Sequence, residues 1–221
     1  MGDPTPSTIL TTPRWRPPTV PIPLVVDDLD AAVDKWFEAH LRGRPAIDRV
    51  MYAASTVGDH GLLWLGLAGV QAVRRHQDCP TRDWRRPLLR ASAGLMIESV
   101  VVNGPVKWMF RRTRPVHSGP RPLHLRQPRT SSFPSGHAAA AFFGAALLRD
   151  DDPLWPIYYA MATVVAASRV HVKIHHASDV IGGVALGVAL GELTRRLVSV
   201  GTRSTDSTGE SVPRPAPFDA P

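Results

Sequence analysis

A single cysteine, Cys79, among 221 residues excludes an internal disulfide and leaves no thiolate cage for a structural zinc. Zinc-finger spacing, an aromatic RNA-binding motif and a lone basic helix are missing, which sets nucleic acid aside as a partner. Residues 1–23 hold no apolar core of the length a cleavable signal needs. They are rich in Pro, Thr and Arg and are expected to form a disordered or extended arm. Long hydrophobic runs are scarce too: the mean hydropathy is −0.09, and the uninterrupted stretch 61–73 falls short of the roughly 20 residues a membrane span requires. The polar tails and two long connectors dilute that average, and the segments between them are far more apolar.

What is abundant is positive charge. With 26 Lys and Arg against 19 Asp and Glu, the net charge is +7, a balance suited to phospholipid headgroups or a phosphorylated substrate. Residues 24–41 carry acidic and apolar residues at helical spacing, which predicts a helix lying on a bilayer surface or packed on a bundle. Apolar segments follow at 50–73, broken by Asp59-His60-Gly61, and at 87–106, which contains Glu98. That residue reads either as a contact inside a membrane bundle or as a sign of soluble core. Three more helices are expected at 137–148, 154–167 and 180–200, the last with Gly182, Gly183, Gly187 and Gly191 at a spacing that lets helix backbones approach closely. The expected organisation is one helical domain over 24–200 and a disordered tail over 201–221. Lys and Arg are shared evenly between the two faces, so charge does not orient the bundle.

Three polar clusters interrupt this pattern, and if the apolar stretches cross a membrane all three emerge on one side. Lys107 and Arg114 lie seven residues apart, which on one continuous helix points both from the same face, with Pro115 as the stop. Ser135 and Gly136 precede a helix, where a hydroxyl cap and free N–H groups favour an anion, and His137 stands beside them as a candidate proton donor. Arg169 is followed by His175 and Asp179 at i, i+4, a spacing that sets a carboxylate against an imidazole. His171 and His176 compete for the same role. Each cluster alone has a plainer reading: a basic flank at the headgroups, an ordinary N-cap, an incidental surface pair. A metal site on His171, His175 and His176 is disfavoured by the neighbouring cations.

Taken in order, the clusters spell K-x6-R-P (107–115), P-S-G-H (134–137) and S-R-x5-H-x3-D (168–179). Together they resemble the signature of the type 2 phosphatidic acid phosphatase superfamily, over roughly residues 50–198. The resemblance implies an all-α membrane bundle of about five to six helices with the PAP2/haloperoxidase-like core. It singles out His175 as the nucleophile that forms a phosphohistidine, Asp179 as its orienting partner and His137 as the acid for the leaving group. Lys107, Arg114 and Arg169 then form the phosphate clamp, completed by Ser135 and the Gly136 N–H. No metal and no cofactor are implied. The expected substrate is a phosphorylated lipid, a polyprenyl phosphate or diphosphate or a phosphatidic acid-like lipid, handled in a bacterial plasma membrane. The compact bacterial members acting on polyprenyl phosphates, including actinobacterial enzymes for decaprenylphosphoryl phosphoribose, are similar in their short connectors. The rival readings are a soluble acid phosphatase, a haloperoxidase or a phosphotransferase on the same scaffold, and a non-catalytic lipid-binding protein. The last would be expected to lose motif residues, and here all are present.

Overall fold

Seven α-helices and no strand make up the described part of the chain: α1 (Leu24–His40), α2 (Pro45–Val57), α3 (Leu62–Asp78), α4 (Arg86–Val101), α5 (Gly136–Leu148), α6 (Trp155–His171) and α7 (Ala177–Arg203). The computed structural model describes residues 24–78, 83, 85–117, 125, 130–150 and 152–203. The expected N-terminal arm, Cys79 and the tail beyond Arg203 lie outside the described residues. Inside them, α7 runs three residues past the expected helix end at 200.

The shortest apolar helix sits at the centre. α5 is Ala-rich and apolar on every side, and Ala138, Ala141, Phe143, Ala145 and Leu148 are buried, as expected of a helix surrounded by others. Small residues set how closely its neighbours approach. A Cβ on Gly183 or Gly187 of α7 would strike the carbonyls of Ser135 and Ala139, and one on Gly144 would strike the Trp64 ring of α3. The glycine spacing expected to bring backbones together therefore does so, between α7 and α5.

The apolar segment over 50–73 is two helices. The chain breaks at a 3-10 turn, Asp59–Gly61, where Gly61 adopts φ 69, a left-handed conformation that costs glycine little. The segment expected over 87–106 also changes course. Gly104 leaves helical geometry (φ −92, ψ −106) and Pro105 lacks an N–H, so Val102–Val106 forms a π turn before a last helical turn, Lys107–Met109.

Of the two readings for 24–41, the helix is packed on the bundle. Asp30 of α1 accepts from the Ser178 N–H at 2.7 Å, at the start of α7. Arg42, just past α1, donates to the carbonyls of Val170 and His171 at 2.8 Å each, at the end of α6. Thus α1 lies across the ends of α6 and α7, with Asp30 bonding to α7 and Arg42 to α6.

Among the described residues one helix, Ala177–Leu197, is long and apolar enough to cross a membrane. α3, α4 and α7 also turn large apolar side chains outward, among them Leu62, Val70, Leu89, Ile97, Ile181 and Leu197. Scattered apolar residues are normal on a soluble surface, but several outward apolar side chains on each of three helices suit a lipid solvent.

Candidate active site

The three clusters converge at one end of the bundle, around a cavity of about 1060 Å³. Lys107, Arg114, Gly136, His137, Arg169 and His175 all line it. From this end it continues past Leu65 of α3, Leu95 and Met96 of α4 and Ala140 of α5. The walls are cationic at the mouth and apolar deeper between α3 and α4.

Lys107 reaches the cavity because the kink at Gly104-Pro105 re-aims the end of α4, and it is largely buried. Arg114 does not share a helix with it, contrary to the expectation from the seven-residue spacing. The helix ends at Met109, and Phe110 is extended (φ −116, ψ 134), its ring packed against Phe133 at 4.6 Å. Arg114 arrives on a non-helical strand of chain instead. Its guanidinium donates to the carbonyl of Ile174 at 2.9 Å, to that of Ser131 at 3.2 Å and to His175 Nε2 at 3.2 Å. Burial is the main influence on its pKa and lowers it, with Asp179 acting in the opposite direction.

His175 sits in the turn between α6 and α7. Lys173 takes a left-handed φ of 52 there, and the His175 N–H donates back to the Arg169 carbonyl at 3.1 Å. The backbone thus ties two residues of the third motif together. A guanidinium can only donate, so the Arg114 contact requires a lone pair on His175 Nε2 and places the ring proton on Nδ1. Burial first, then the cations Arg114 and Arg169, push the imidazole pKa down to about 3, against the pull of Asp179. The ring is accordingly neutral near pH 7, with its Nε2 lone pair at the cavity wall accepting from Arg114.

Asp179 stands 3.7 Å from His175 Nδ1, longer than a hydrogen bond, because His175 precedes the first turn of α7 rather than lying on it. The carboxylate is shared more widely than the i, i+4 spacing suggests. Arg112 Nη1 donates to Oδ1 at 2.8 Å, while Ser132 Oγ and the His176 N–H donate to Oδ2 at 2.5 and 2.8 Å. Arg112 also donates to Asp30 Oδ2 at 2.5 Å and to Asp27 at 3.1 Å. Burial opposes its charge, but the bonds to Asp30 and Asp179 outweigh that and raise the pKa above the ordinary arginine value.

Of the competing histidines, neither His176 nor His171 lines the cavity. His176 Nδ1 is 3.1 Å from Asp179, and His171 Nε2 pairs with Asp48 at 2.7 Å. On the opposite wall His137 Nε2 lies 2.6 Å from Asp59 Oδ1. Arg169 is buried, and its guanidinium donates to Ser55 Oγ on α2. Ser135 is fully buried and caps α5, accepting from the Ala138 N–H at 3.4 Å. It is Gly136, the first residue of the helix, that borders the cavity.

Asp59, Arg112, Asp30 and Ser132 were not anticipated from the sequence. Arg112 sits within the first motif, but nothing in its spacing points to Asp179, 67 residues on. Asp59 stood out only as an interruption in an apolar stretch.

A helical bundle that gathers two histidines and three cations around one mouth, with an apolar slot behind it, is a scaffold for a phosphate carried on an apolar group. The chain belongs to the PAP2 superfamily, whose family model matches residues 88–203. It is 32% identical over 164 residues to the decaprenylphosphoryl-5-phosphoribose phosphatase of Mycobacterium tuberculosis, covering 74% of this chain and 88% of that protein. The protein of the same description from Mycolicibacterium smegmatis is 31% identical over 146 residues, covering 66% of this chain and 76% of that one. The fold matches the crystal structure of a transmembrane PAP2 type phosphatidylglycerolphosphate phosphatase from Bacillus subtilis. The TM-score is 0.58 at 24% identity, covering 85% of this chain and 90% of that chain.

Proposed function

We propose that this chain is an integral membrane phosphatase of a bacterial plasma membrane that hydrolyses a phosphorylated lipid of polyprenyl type through a phosphohistidine on His175. The observation that carries the reading is the His175 Nε2 lone pair, held by Arg114 in a cavity shared with Lys107, Arg169 and His137. The apolar slot between α3 and α4 supports an apolar chain on the substrate, and the relatives named for a decaprenyl-linked phosphate support the same class.

In the first step His175 Nε2 attacks phosphorus and the bond to the leaving oxygen breaks. His137 gives that oxygen its proton, so the alcohol departs and the phosphoryl group stays on nitrogen. The leaving oxygen takes the place beside His137 Nε2 that Asp59 now holds. Lys107, Arg114, Arg169 and the Gly136 N–H bear the charge that spreads over the equatorial oxygens. Asp179, fixed by Arg112 and Ser132, faces the Nδ1 proton and stabilises the imidazolium formed. In the second step water attacks phosphorus, its proton passes to His137, the P–N bond breaks, and inorganic phosphate leaves with His175 restored.

The test is phosphate release by detergent-purified protein from polyprenyl monophosphates, diphosphates, phosphatidic acid and a water-soluble monoester, with and without chelator. Release from a polyprenyl phosphate that chelator leaves intact is expected. His175→Ala should abolish it without unfolding the protein, and His176→Ala should retain most of it. Equal loss in the two variants, or full activity in His175→Ala, defeats the assignment of the nucleophile. Extraction of the protein without detergent defeats the membrane assignment.

A further inference from the structure

Glu98 is 2% exposed, sits on α4 and lines the cavity, and its Oε1 has no hydrogen-bond partner. An acceptor buried without a donor is costly, and such a group in a native fold calls for an explanation. The phosphate does not supply one. A phosphate brings only acceptor oxygens and negative charge, and the groups that would receive it are Lys107, Arg114 and Arg169 on the same cavity wall. An apolar lipid chain supplies no donor either.

The neighbours of Glu98 continue the pattern. Ser92, Ser99 and Asn103 line the same cavity from α4 and its π turn, at positions i, i+7 and i+11, beside the apolar Leu95, Met96 and Val100. Asn103 Nδ2 donates to Ser99 Oγ at 3.2 Å. That bond uses the amide's donor side and leaves Oδ1 toward Gly136, where an added Cβ would come within 2.9 Å of it. Between the phosphate clamp and Leu95 and Met96 there is thus a short polar stretch, Asn103, Ser99 and Glu98, in which Glu98 Oε1 and Asn103 Oδ1 are acceptors. Hydroxyl groups complement such a stretch, since each brings a donor hydrogen and no charge.

We propose that Glu98, with Asn103, reads hydroxyl groups on the part of the substrate that joins the cleaved phosphate to the lipid. The preferred substrate is then a lipid-linked sugar or polyol phosphate rather than a phosphate borne directly on an apolar chain. This rests on the phosphatase reading above and narrows it. A site built to bond a substrate hydroxyl discriminates strongly against the analogue without it, because the buried acceptor is then left unpaired.

The experiment compares two lipids of the same prenyl chain length, a prenylphosphoryl-pentose 5-phosphate and the plain prenyl monophosphate. They are assayed with the wild-type chain, Glu98→Leu and Glu98→Gln in detergent, with each variant's thermal melting recorded. The wild type should prefer the hydroxyl-bearing lipid, and Glu98→Leu should lower kcat/KM on it by roughly tenfold or more while changing the plain lipid by less than about threefold. Glu98→Gln keeps an acceptor oxygen and should recover part of the loss. A parallel fall on both lipids assigns Glu98 to packing or to Lys107 and overturns the proposal, as does an unchanged ratio of the two substrates. A wild-type chain inactive on both lipids fails the phosphatase reading itself, whereas activity on both without discrimination fails the headgroup assignment alone.

Discussion

The two ends of the bundle treat charge in opposite ways. At the end away from the cavity, Asp150 accepts from Arg90 at 3.0 Å and from Arg195 at 2.8 Å, and Glu192 accepts from Arg149 at 3.1 Å and Arg195 at 2.6 Å. Arg90, Arg149 and Arg195 each meet a carboxylate there. At the cavity end, no carboxylate among the described residues stands within ion-pair distance of Lys107 or Arg114, and the Arg114 contacts are backbone carbonyls and His175. Two arginines of the first motif carry the contrast within three residues. Arg112 is matched by Asp30 and Asp179 and its pKa is raised, while Arg114 is half-buried without a carboxylate partner and its pKa is lowered. Charges at the far end are opposed in place, and the charges proposed to bind phosphate are held by neutral groups that leave their field open.

Substitution at the open end should separate function from stability most sharply. Lys107→Met and Arg114→Met should each lower kcat/KM by about 10²- to 10³-fold with little change in melting temperature. Arg114→Lys should recover little, because a point charge does not replace a planar fork. A large loss of stability in either Met variant would erase the contrast. Arg112→Leu should do the reverse of leaving the fold intact. It strands Asp30 and Asp179 in a buried site, so unfolding stability should fall by about 3–5 kcal/mol in denaturant titrations, with activity falling as well.

The smallest effect belongs to the paired end. Asp150→Ala should leave phosphate release unchanged and cost about 1–2 kcal/mol of stability. Burial works to raise the Asp150 pKa, but the bonds from Arg195 and Arg90 outweigh it and hold the pKa below the usual aspartate value. As pH falls the unfolded chain therefore takes up this proton first. The stability contributed by Asp150 is complete above about pH 4 and is lost as pH drops through the folded value. The Asp150→Ala variant should show a flatter stability profile than wild type below about pH 4, measured by thermal melting. Equal slopes would show the pairing at that end to be energetically idle.

The residues legible in the sequence were those whose placement is fixed by short spacing. His175 and Arg169 lie in one turn, Gly136 and His137 open one helix, and the glycines of α7 recur at helical intervals, so motif and period were enough to find them. The partners were hidden because nothing local announces them. Asp59 and His137 are 78 residues apart, and Ser132 and Asp179 are 47 apart. The route of Arg114 was misread for a related reason. A continuous helix from Lys107 is the simplest use of a seven-residue spacing, and it ignores the π turn at Gly104-Pro105 and the extended Phe110 that redirect the chain. Glu98 was visible as an oddity in an apolar segment, but whether it met a helix or an opening depended on packing.

The bond from the Ser178 N–H to Asp30 joins residues 148 positions apart. It is part of the network in which Arg112 fixes Asp179, so the reactive end is closed by the first described helix meeting the last. Loop closure over such a separation comes late in assembly. A chain emerging from the ribosome therefore carries its cationic motif and its Pro-Ser-Gly-His turn before the residues that hold them, Ile174, His175 and Asp179, have been added. The proposed reactive end is therefore assembled only when the first described helix and the last described helix meet.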